Sequence, residues 1–425
     1  MAANNFTLRP YQVELAHRGC EILKNRGLVY LAMQVRTGKT HTAMECARVY
    51  GAQKVLFVTK KKAITSIEND YKTGGYPFEL TVINAESIHR TKTNKFDLVI
   101  LDEAHQFGAF PKPSNRTKEV KIRYAHLPII YLSGTPTPES PSQIYHQLWI
   151  SNRSPFSQYK NFYAWSKDFV NVYQVNFGYA SVNQYDRAHQ SKIDGYVKDL
   201  FLSFTQEQAG FESKVEEHFL YVTMKPHTYN LIEMLKEDFI IEGKNGKTIT
   251  AGSAVSLMTK IHQLGSGTIK DDDGKGHTID TTKAEFIKEH FKGKKIGVFY
   301  KFQEEWEMLK KVFGDQICNT LDEFTSTDKN IALQIVAGRE GISLKEADYL
   351  VYLTPDFSAT SYEQSKARTQ TQTRLETEVY WVFSRDTIDE DVYKKVKSKG
   401  KYTSHYYMKS QGIQRPSQWD TKADT

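Results

Sequence analysis

Hydrophobic residues enter the first third of the chain in short unbroken runs: LVYLAM (28–33), KVLFVT (54–59), LTVI (80–83), FDLVIL (96–101) and PIIYLS (128–133). A strand that is apolar at successive positions has no face to offer water, so such runs belong in a parallel sheet covered on both sides. The stretches between them are of helix length, which predicts a doubly wound α/β domain. The pattern returns late in the chain with KKIGVFY (294–300), IALQIV (331–336), DYLVYL (348–353) and EVYWVF (378–383), alternating with amphipathic segments such as QEEWEMLKKVF (303–313). That is a second α/β domain. A length of 425 residues agrees, because it exceeds what a single core organises.

Between the two the character of the chain changes. Residues 151 to about 215 are crowded with aromatic and polar residues, and Phe162, Trp165, Phe169 and Tyr173 recur at spacings that place them on one helix face. Such a stripe is either a packing face or a surface on which bases stack. KDDDGKGH (270–277) reads as a surface loop, and the chain from Lys394 is basic and aromatic, the pattern of a tail that is either partly disordered or lies on a polyanion. The boundaries expected are a first lobe over 1–150, a helical, aromatic-rich insert and linker over 151–280, a second lobe over 281–400 and a basic tail over 401–425. No hairpin for prising strands apart is evident in the pattern.

Composition narrows the class. With 39% hydrophobic and 25% charged residues, wholesale disorder is excluded, and no apolar run approaches the roughly 20 residues that span a bilayer. MAANNFTLRPYQ lacks a basic-then-apolar signal pattern, so the cytoplasm is the default address. Cys20, Cys46 and Cys318 are far apart, without a C-x-x-C, and read as core thiols rather than a disulfide framework or zinc site. Lys plus Arg (57) exceeds Asp plus Glu (50), giving a net charge of +7 that permits a polyanionic partner without requiring one.

Three strand ends carry the chemistry. Gly38-Lys39-Thr40 follows the first apolar run and opens a helix-forming segment, so backbone N–H groups and the helix dipole converge where phosphate would bind. Lys39 would reach the β and γ phosphates, and the Thr40 hydroxyl would ligate Mg²⁺. The pattern G-x-x-x-x-G-K-[ST] is incomplete, with Met33 where its first glycine belongs. LVILDEAH delivers Asp102 and Glu103 at a strand's carboxyl end, where ligands of open α/β sheets bind; Asp102 would hold the metal and Glu103 polarise a water. YLSGTPTP ends a third strand with Ser133-Gly134-Thr135-Pro136, which alone would be a turn. Lys60, Lys61 and Lys62 with Thr65 follow the second run and are either phosphate contacts or a solvated cluster.

Taken together, these residues resemble the superfamily 2 helicases, and within them Swi/Snf-type double-stranded DNA translocases, especially compact members encoded by bacteriophages. LRPYQ (8–12) is similar to the motif whose glutamine, here Gln12, reads adenine; GKT, DEAH and SGTP are similar to motifs I, II and III. MTKIHQLGSG (258–267) resembles a helical segment before the second lobe, and TIDEDVYKKV (387–396) the segment that closes it. QIVAGREGISLKEADYLVYLTPDFS resembles motif V with its flanks, and YEQSKAR motif VI. The resemblance implies two RecA-like lobes with ATP and Mg²⁺ hydrolysed between them. It places Arg36, Thr37, Gly38, His41 and Gly341 on the nucleotide, and Gln364 and the arginine finger Arg368 beside the catalytic Lys39, Asp102 and Glu103. His105, Ser133 and Thr135 would couple hydrolysis to movement. Lys60, Lys61, Lys62, Thr65, Asn84 (with Glu86 and Ser87) and Arg339 would touch nucleic acid, with double-stranded DNA favoured over single-stranded DNA or RNA. A phage-encoded member would act in the host cytoplasm.

Motif VI departs from its pattern: Thr371 stands where the second arginine belongs, and the next is Arg374. This motivates a rival reading, an ATP-binding clamp or assembly factor with weak hydrolysis. A P-loop kinase is harder to reconcile with a second lobe bearing Gln364 and Arg368. No sequence-reading module is visible, and without a strand-splitting hairpin the pattern leans toward translocation.

Overall fold

The computed structural model describes residues 6–91, 96–176, 181–210, 214–243, 248–335, 344–357 and 376–397. It divides into two compact units, Met1–Glu212 and Ser213–Thr425. Each is built on a six-stranded, wholly parallel sheet. The fold is therefore α/β with two doubly wound sheets, as expected of RecA-like lobes.

In the first unit the elements run α1 (Pro10–Arg26), β1 (Leu28–Met33), α2 (Lys39–Tyr50), β2 (Lys54–Thr59), α3 (Ile64–Gly74), β3 (Glu79–Asn84), β4 (Leu98–Leu101), α4 (Asn115–Tyr124) and β5 (Ile129–Leu132). There follow α5 (Gln143–Trp149), α6 (Phe162–Phe169), β6 (Tyr173–Asn176), β7 (Ser181–Gln184), α7 (Gln190–Val197) and β8 (Phe201–Phe204). The sheet order is β3-β2-β4-β5-β1-β8. Successive strand residues feed opposite cores: Leu28, Tyr30, Leu56 and Val58 pack on one face, Val29, Leu31, Val55 and Phe57 on the other. That is why these runs are apolar at every position.

The second unit contains β9 (Lys214–Val222), α8 (Pro226–Glu237), the small ribbons β10 (Ile240–Glu242) with β11 (Thr248–Thr250), α9 (Ala254–Ser266), and β12 (Thr268–Lys270) with β13 (Gly276–Thr278). Then come α10 (Thr282–His290), β14 (Ile296–Tyr300), α11 (Gln303–Phe313), β15 (Ile317–Cys318), α12 (Leu321–Ser326), β16 (Asn330–Gln334), β17 (Tyr349–Tyr352), β18 (Glu376–Ser384) and α13 (Asp389–Lys397). Its sheet order is β15-β16-β14-β17-β18-β9. A fully buried ion pair fastens α10 and α13: Lys283 Nζ donates to Asp389 Oδ2 at 2.6 Å, and the same oxygen accepts the Ser384 N–H at 3.1 Å. His262 Nε2 from α9 approaches Oδ1 at 3.4 Å. Burial pushes the His262 imidazole down to about 4 against the pull of Asp389. Burial would raise the Asp389 carboxyl, but Lys283 and His262 hold it down to about 2.

In the middle of the chain β8 joins the first sheet at one edge, and β9 joins the second. The aromatic stripe is a packing face, with Phe162, Trp165 and Phe169 almost wholly buried on α6. Tyr173 is not on that helix. It opens β6, which pairs antiparallel with β7 in a two-stranded ribbon, so a hairpin that the sequence pattern concealed is present. Of the 270–277 segment, Lys270 ends β12, Gly276 and His277 open β13, and the five residues between them form the turn. Among the described residues no helix is long and apolar enough to cross a membrane, and the three cysteines are free and buried.

Candidate functional site

Because the first sheet is parallel, the carboxyl ends of its strands share one edge, and the candidate residues line it in two groups. Lys39, Asp102 and Ser133 follow β1, β4 and β5, which are adjacent in the order β4-β5-β1. Lys60 follows β2 and Asn84 ends β3, which lie together at the far end. Ligands of open α/β sheets bind at this edge.

The phosphate-loop segment is tightly curled. Met33 is fully buried as the last residue of β1, so the turn begins only at Gln34 and the position where a glycine was missing lies inside a strand. Arg36 and Gly38 both take positive φ, 67° and 79°, and Gly38 caps α2. Thr37 Oγ1 donates to the Gln34 carbonyl at 2.8 Å, and Lys39 Nζ lies 3.4 Å from the same oxygen. The helix that opens at Lys39 aims its first N–H groups into this loop, the arrangement that favours an anion. Thr40 is partly exposed in the first turn.

The segment before α1 clasps that loop. Gln12 Nε2 donates to the Gly38 carbonyl at 3.2 Å while its Oε1 accepts the Arg9 N–H at 2.8 Å, and Tyr11 Oη donates to the Thr37 carbonyl at 3.1 Å. A Cβ built on Gly38 would come within 2.1 Å of Gln12 Nε2, which would have to swing away from the loop, while the positive φ is what calls for glycine. His41 is engaged elsewhere: its ring stacks on Phe6 at 4.2 Å, Nδ1 is 3.2 Å from Tyr76 Oη and Nε2 is 3.7 Å from Asp70. Burial lowers the His41 imidazole, against the pull of Asp70.

Asp102 is held by two donors, Thr59 Oγ1 to Oδ2 at 2.7 Å and the Glu103 N–H to Oδ1 at 2.9 Å. Burial, and then the neighbouring Glu103, push its carboxyl up to about 6, while Thr59 and the Lys39 cation pull it back. Of the ligands that usually hold Mg²⁺, one or two carboxylates with phosphate oxygens and water, Asp102 could supply the carboxylate, and Thr40 could add a hydroxyl. No three His, Cys, Asp or Glu side chains converge as a metal cage among the described residues.

From Glu103 a polar chain runs to the next strand end. Glu103 takes a left-handed backbone (φ 50°), and its Oε2 lies 3.3 Å from His105 Nδ1. His105 Nδ1 is 3.0 Å from Ser133 Oγ, which accepts the Thr135 N–H at 3.2 Å. Gln147 then grips the Pro136 carbonyl at 2.8 Å while accepting from Tyr30 Oη at 2.8 Å.

A comparison with protein-family models finds no match, and neither does one with curated proteins. Solved structures do resemble the chain. One is the Sulfolobus solfataricus SWI2/SNF2 ATPase core in complex with dsDNA, at 14% identity and a TM-score of 0.42, covering 99% of this chain and 95% of that one. Another is the SWI2/SNF2 ATPase core domain of the same organism, at 14% identity and a TM-score of 0.43, covering 98% and 92%. At that distance activity does not transfer, and the residues of the site have to carry it.

Lys61, Lys62 and Thr65 are exposed, in a 3₁₀ turn after β2 and the start of α3, with Lys60 partly covered. Asn84 Oδ1 accepts the Ser87 N–H at 2.9 Å and so caps the following turn, whose Glu86 faces Arg116 at 3.8 Å. Arg339, Gly341, Gln364 and Arg368 lie outside the described residues, as do Thr371 and Arg374. Tyr11 and Thr59, which brace the loop and the carboxylate, were not foreseen. Tyr11 adjoins the glutamine of LRPYQ, and Thr59 ends an apolar run; neither position advertises a partner far along the chain.

Proposed function

We propose that this chain is an ATP- and Mg²⁺-dependent motor that moves along nucleic acid, with double-stranded DNA as the favoured track. The observation that best supports it is the chain from Glu103 through His105 to Ser133 and Thr135. A simple nucleotide-binding protein needs only the loop and Asp102. A carboxylate wired to a second strand end is what coupling hydrolysis to movement requires.

In this reading Gln12 meets the base, Gly38 to Thr40 cradle the phosphates, and Lys39 offsets charge on the γ-phosphate. Asp102 and Thr40 would hold Mg²⁺, which would supply a positive charge against the charge developing on the phosphates. Glu103 orients and deprotonates the attacking water. Arg368 acts as the arginine finger, whose contribution in nucleotide hydrolases is roughly 10³ to 10⁵ in rate. Lys60, Lys61, Lys62 and Thr65 bind backbone phosphates without reading sequence.

The test is the ATPase rate with duplex DNA, single-stranded DNA and RNA as stimulants at two salt concentrations. Preferential stimulation by duplex is the expected result; no stimulation by any of them refutes the motor. ATP-dependent DNA binding with negligible turnover would favour the clamp reading that Thr371 motivates. Arg368→Ala should abolish stimulated turnover, and Arg374→Ala should leave it largely intact.

A further inference from the structure

The phosphate loop is short and carries a strained residue, so its shape has to be fixed from outside. Its turn runs only from Gln34 to Gly38, and Arg36 sits in the left-handed region at φ 67°. A residue with a side chain keeps that conformation only where the surrounding structure over-determines it. A loop that binds phosphate must also present N–H groups to the anion, which means turning its carbonyls away.

Four of those carbonyls are engaged. That of Gln34 accepts from Thr37 Oγ1 inside the loop, and those of Thr37 and Gly38 accept from Tyr11 and Gln12. The carbonyl of Val35, just before Arg36, is held from far along the chain: Gln206 Nε2 donates to it at 2.9 Å. The Gln206 N–H donates to Gln34 Oε1 at 2.8 Å, and the Gln34 N–H to the Phe204 carbonyl at 2.9 Å, which continues the β1–β8 pairing past Met33. Arg36 is thus gripped on both sides, by Gln206 at the carbonyl before it and by Tyr11 at the carbonyl after it. The two grips touch each other, since the Tyr11 ring stacks on Phe204 at 4.5 Å.

Gln206 is itself held in place. It belongs to the turn T-Q-E-Q (205–208), where the Thr205 N–H donates to Gln208 Oε1 at 2.8 Å and the Gln208 N–H to Thr205 Oγ1 at 3.1 Å. That reciprocal pair has the arrangement of a capping box and closes the turn without outside help. The turn lies near the end of the first unit, whose last residue is Glu212. The chain therefore leaves this unit from a turn fastened to the phosphate loop.

We propose that Gln206 is a positioning residue for nucleotide binding. From the segment that leads out of the first unit it holds the phosphate loop in its binding shape, so that ATP on the loop and order in residues 205–210 favour each other. Linkage makes the effect reciprocal: whatever disturbs one end is felt at the other. The inference rests on the ATP-binding reading of the loop.

The experiment uses the full chain and Mg·ATP, with three measurements: ATP affinity without DNA, steady-state ATPase with saturating duplex, and hydrogen exchange at residues 205–210 with and without ATP. Gln206→Glu keeps the backbone N–H and the side-chain length but sets an acceptor against the Val35 carbonyl. It should raise Kd and KM for ATP about three- to tenfold, the worth of one hydrogen bond, with kcat within about twofold of wild type. In wild type, ATP should slow exchange both at the start of α2 and at 205–210; in the variant at saturating ATP, only the slowing at α2 should remain. A residue that merely supported the fold would lower the yield of folded protein without moving that response. Gln206→Ala, which removes the donor without opposing the carbonyl, should change Kd in the same direction and replaces the first variant if that one does not fold. Combined with Gln34→Ala, it should raise Kd by less than the product of the two single effects, because both bonds hold one unit. ATP binding by wild type with no exchange response at 205–210, a Kd unaltered by either Gln206 variant, or fully multiplicative effects overturns the positioning role alone. Folded wild-type protein that binds no ATP removes the nucleotide reading, and the positioning role with it.

Discussion

Asp102 sits where its charge is costly in the free protein, enclosed just after β4 and next to Glu103. Its carboxyl is raised from 3.8 to about 6. A raised carboxyl means that the folded chain holds a proton that the unfolded chain has released, so between these values stability falls as pH rises. Asp102→Asn should therefore raise Tm above about pH 6, lose that gain below about pH 4, and abolish ATPase at every pH. Thermal melting across that range beside a turnover assay checks both halves; an unchanged Tm at neutral pH would contradict the enclosure of the charge. Gly38→Ala meets two obstacles, a φ of 79° and Gln12. It should weaken ATP binding, as should Gln12→Ala, which removes the clasp together with the proposed contact to the base, and titration with ATP measures both. At this scale the sequence was legible where function is local: Gly38-Lys39-Thr40 and Asp102-Glu103 are contiguous and sit at strand ends. Thr59 and Tyr11 act across 43 and 26 residues of chain, and no spacing rule connects such partners.

Elements followed their hydrophobic patterns wherever both faces are covered. The nine apolar runs became β1 to β5, β14 and β16 to β18; in the interior strands burial on two sides leaves no ambiguity of period, and β3, partly exposed at an edge, still keeps the run LTVI. β8 and β9, also edge strands, escaped because polar residues interrupt their apolar ones. β9 carries Lys214, Glu216, Glu217 and His218, a pattern set by one buried neighbour and open water. The ribbon escaped because Phe162, Trp165, Phe169 and Tyr173 keep helical spacing across a boundary that the structure draws at Phe169. In the second unit the buried Lys283–Asp389 pair makes a prediction at this scale. Lys283→Met strands a carboxylate in the interior and should cost about 3–5 kcal/mol by denaturant unfolding. Adding Asp389→Leu should restore most of that loss. The pair's own contribution is complete above about pH 4 and is lost as pH falls through about 2.

Over the whole molecule the excess of 57 basic over 50 acidic residues is small, so binding strength must come from placement rather than total charge. Lys61 and Lys62 sit on the carboxyl edge of the first sheet, beyond the strands that carry the nucleotide group. Lys61→Ala/Lys62→Ala should weaken DNA binding and flatten the log affinity against log salt plot by about 1 per lost contact, without changing turnover at saturating DNA. Equal slopes for variant and wild type would return these lysines to solvent. Beneath the ribbon, Trp165 is completely enclosed, stacked on Phe169 at 5.0 Å with Phe162 at 5.4 Å, and among the described residues its indole N–H has no hydrogen-bond partner. An indole in so apolar a cage should emit toward the blue. If the other four of the chain's five tryptophans are replaced by phenylalanine, Trp165 becomes an optical gauge at the foot of the β6–β7 ribbon. Its emission should change when ATP and duplex DNA are added together, and an unchanged spectrum would show that this packing stays fixed through turnover.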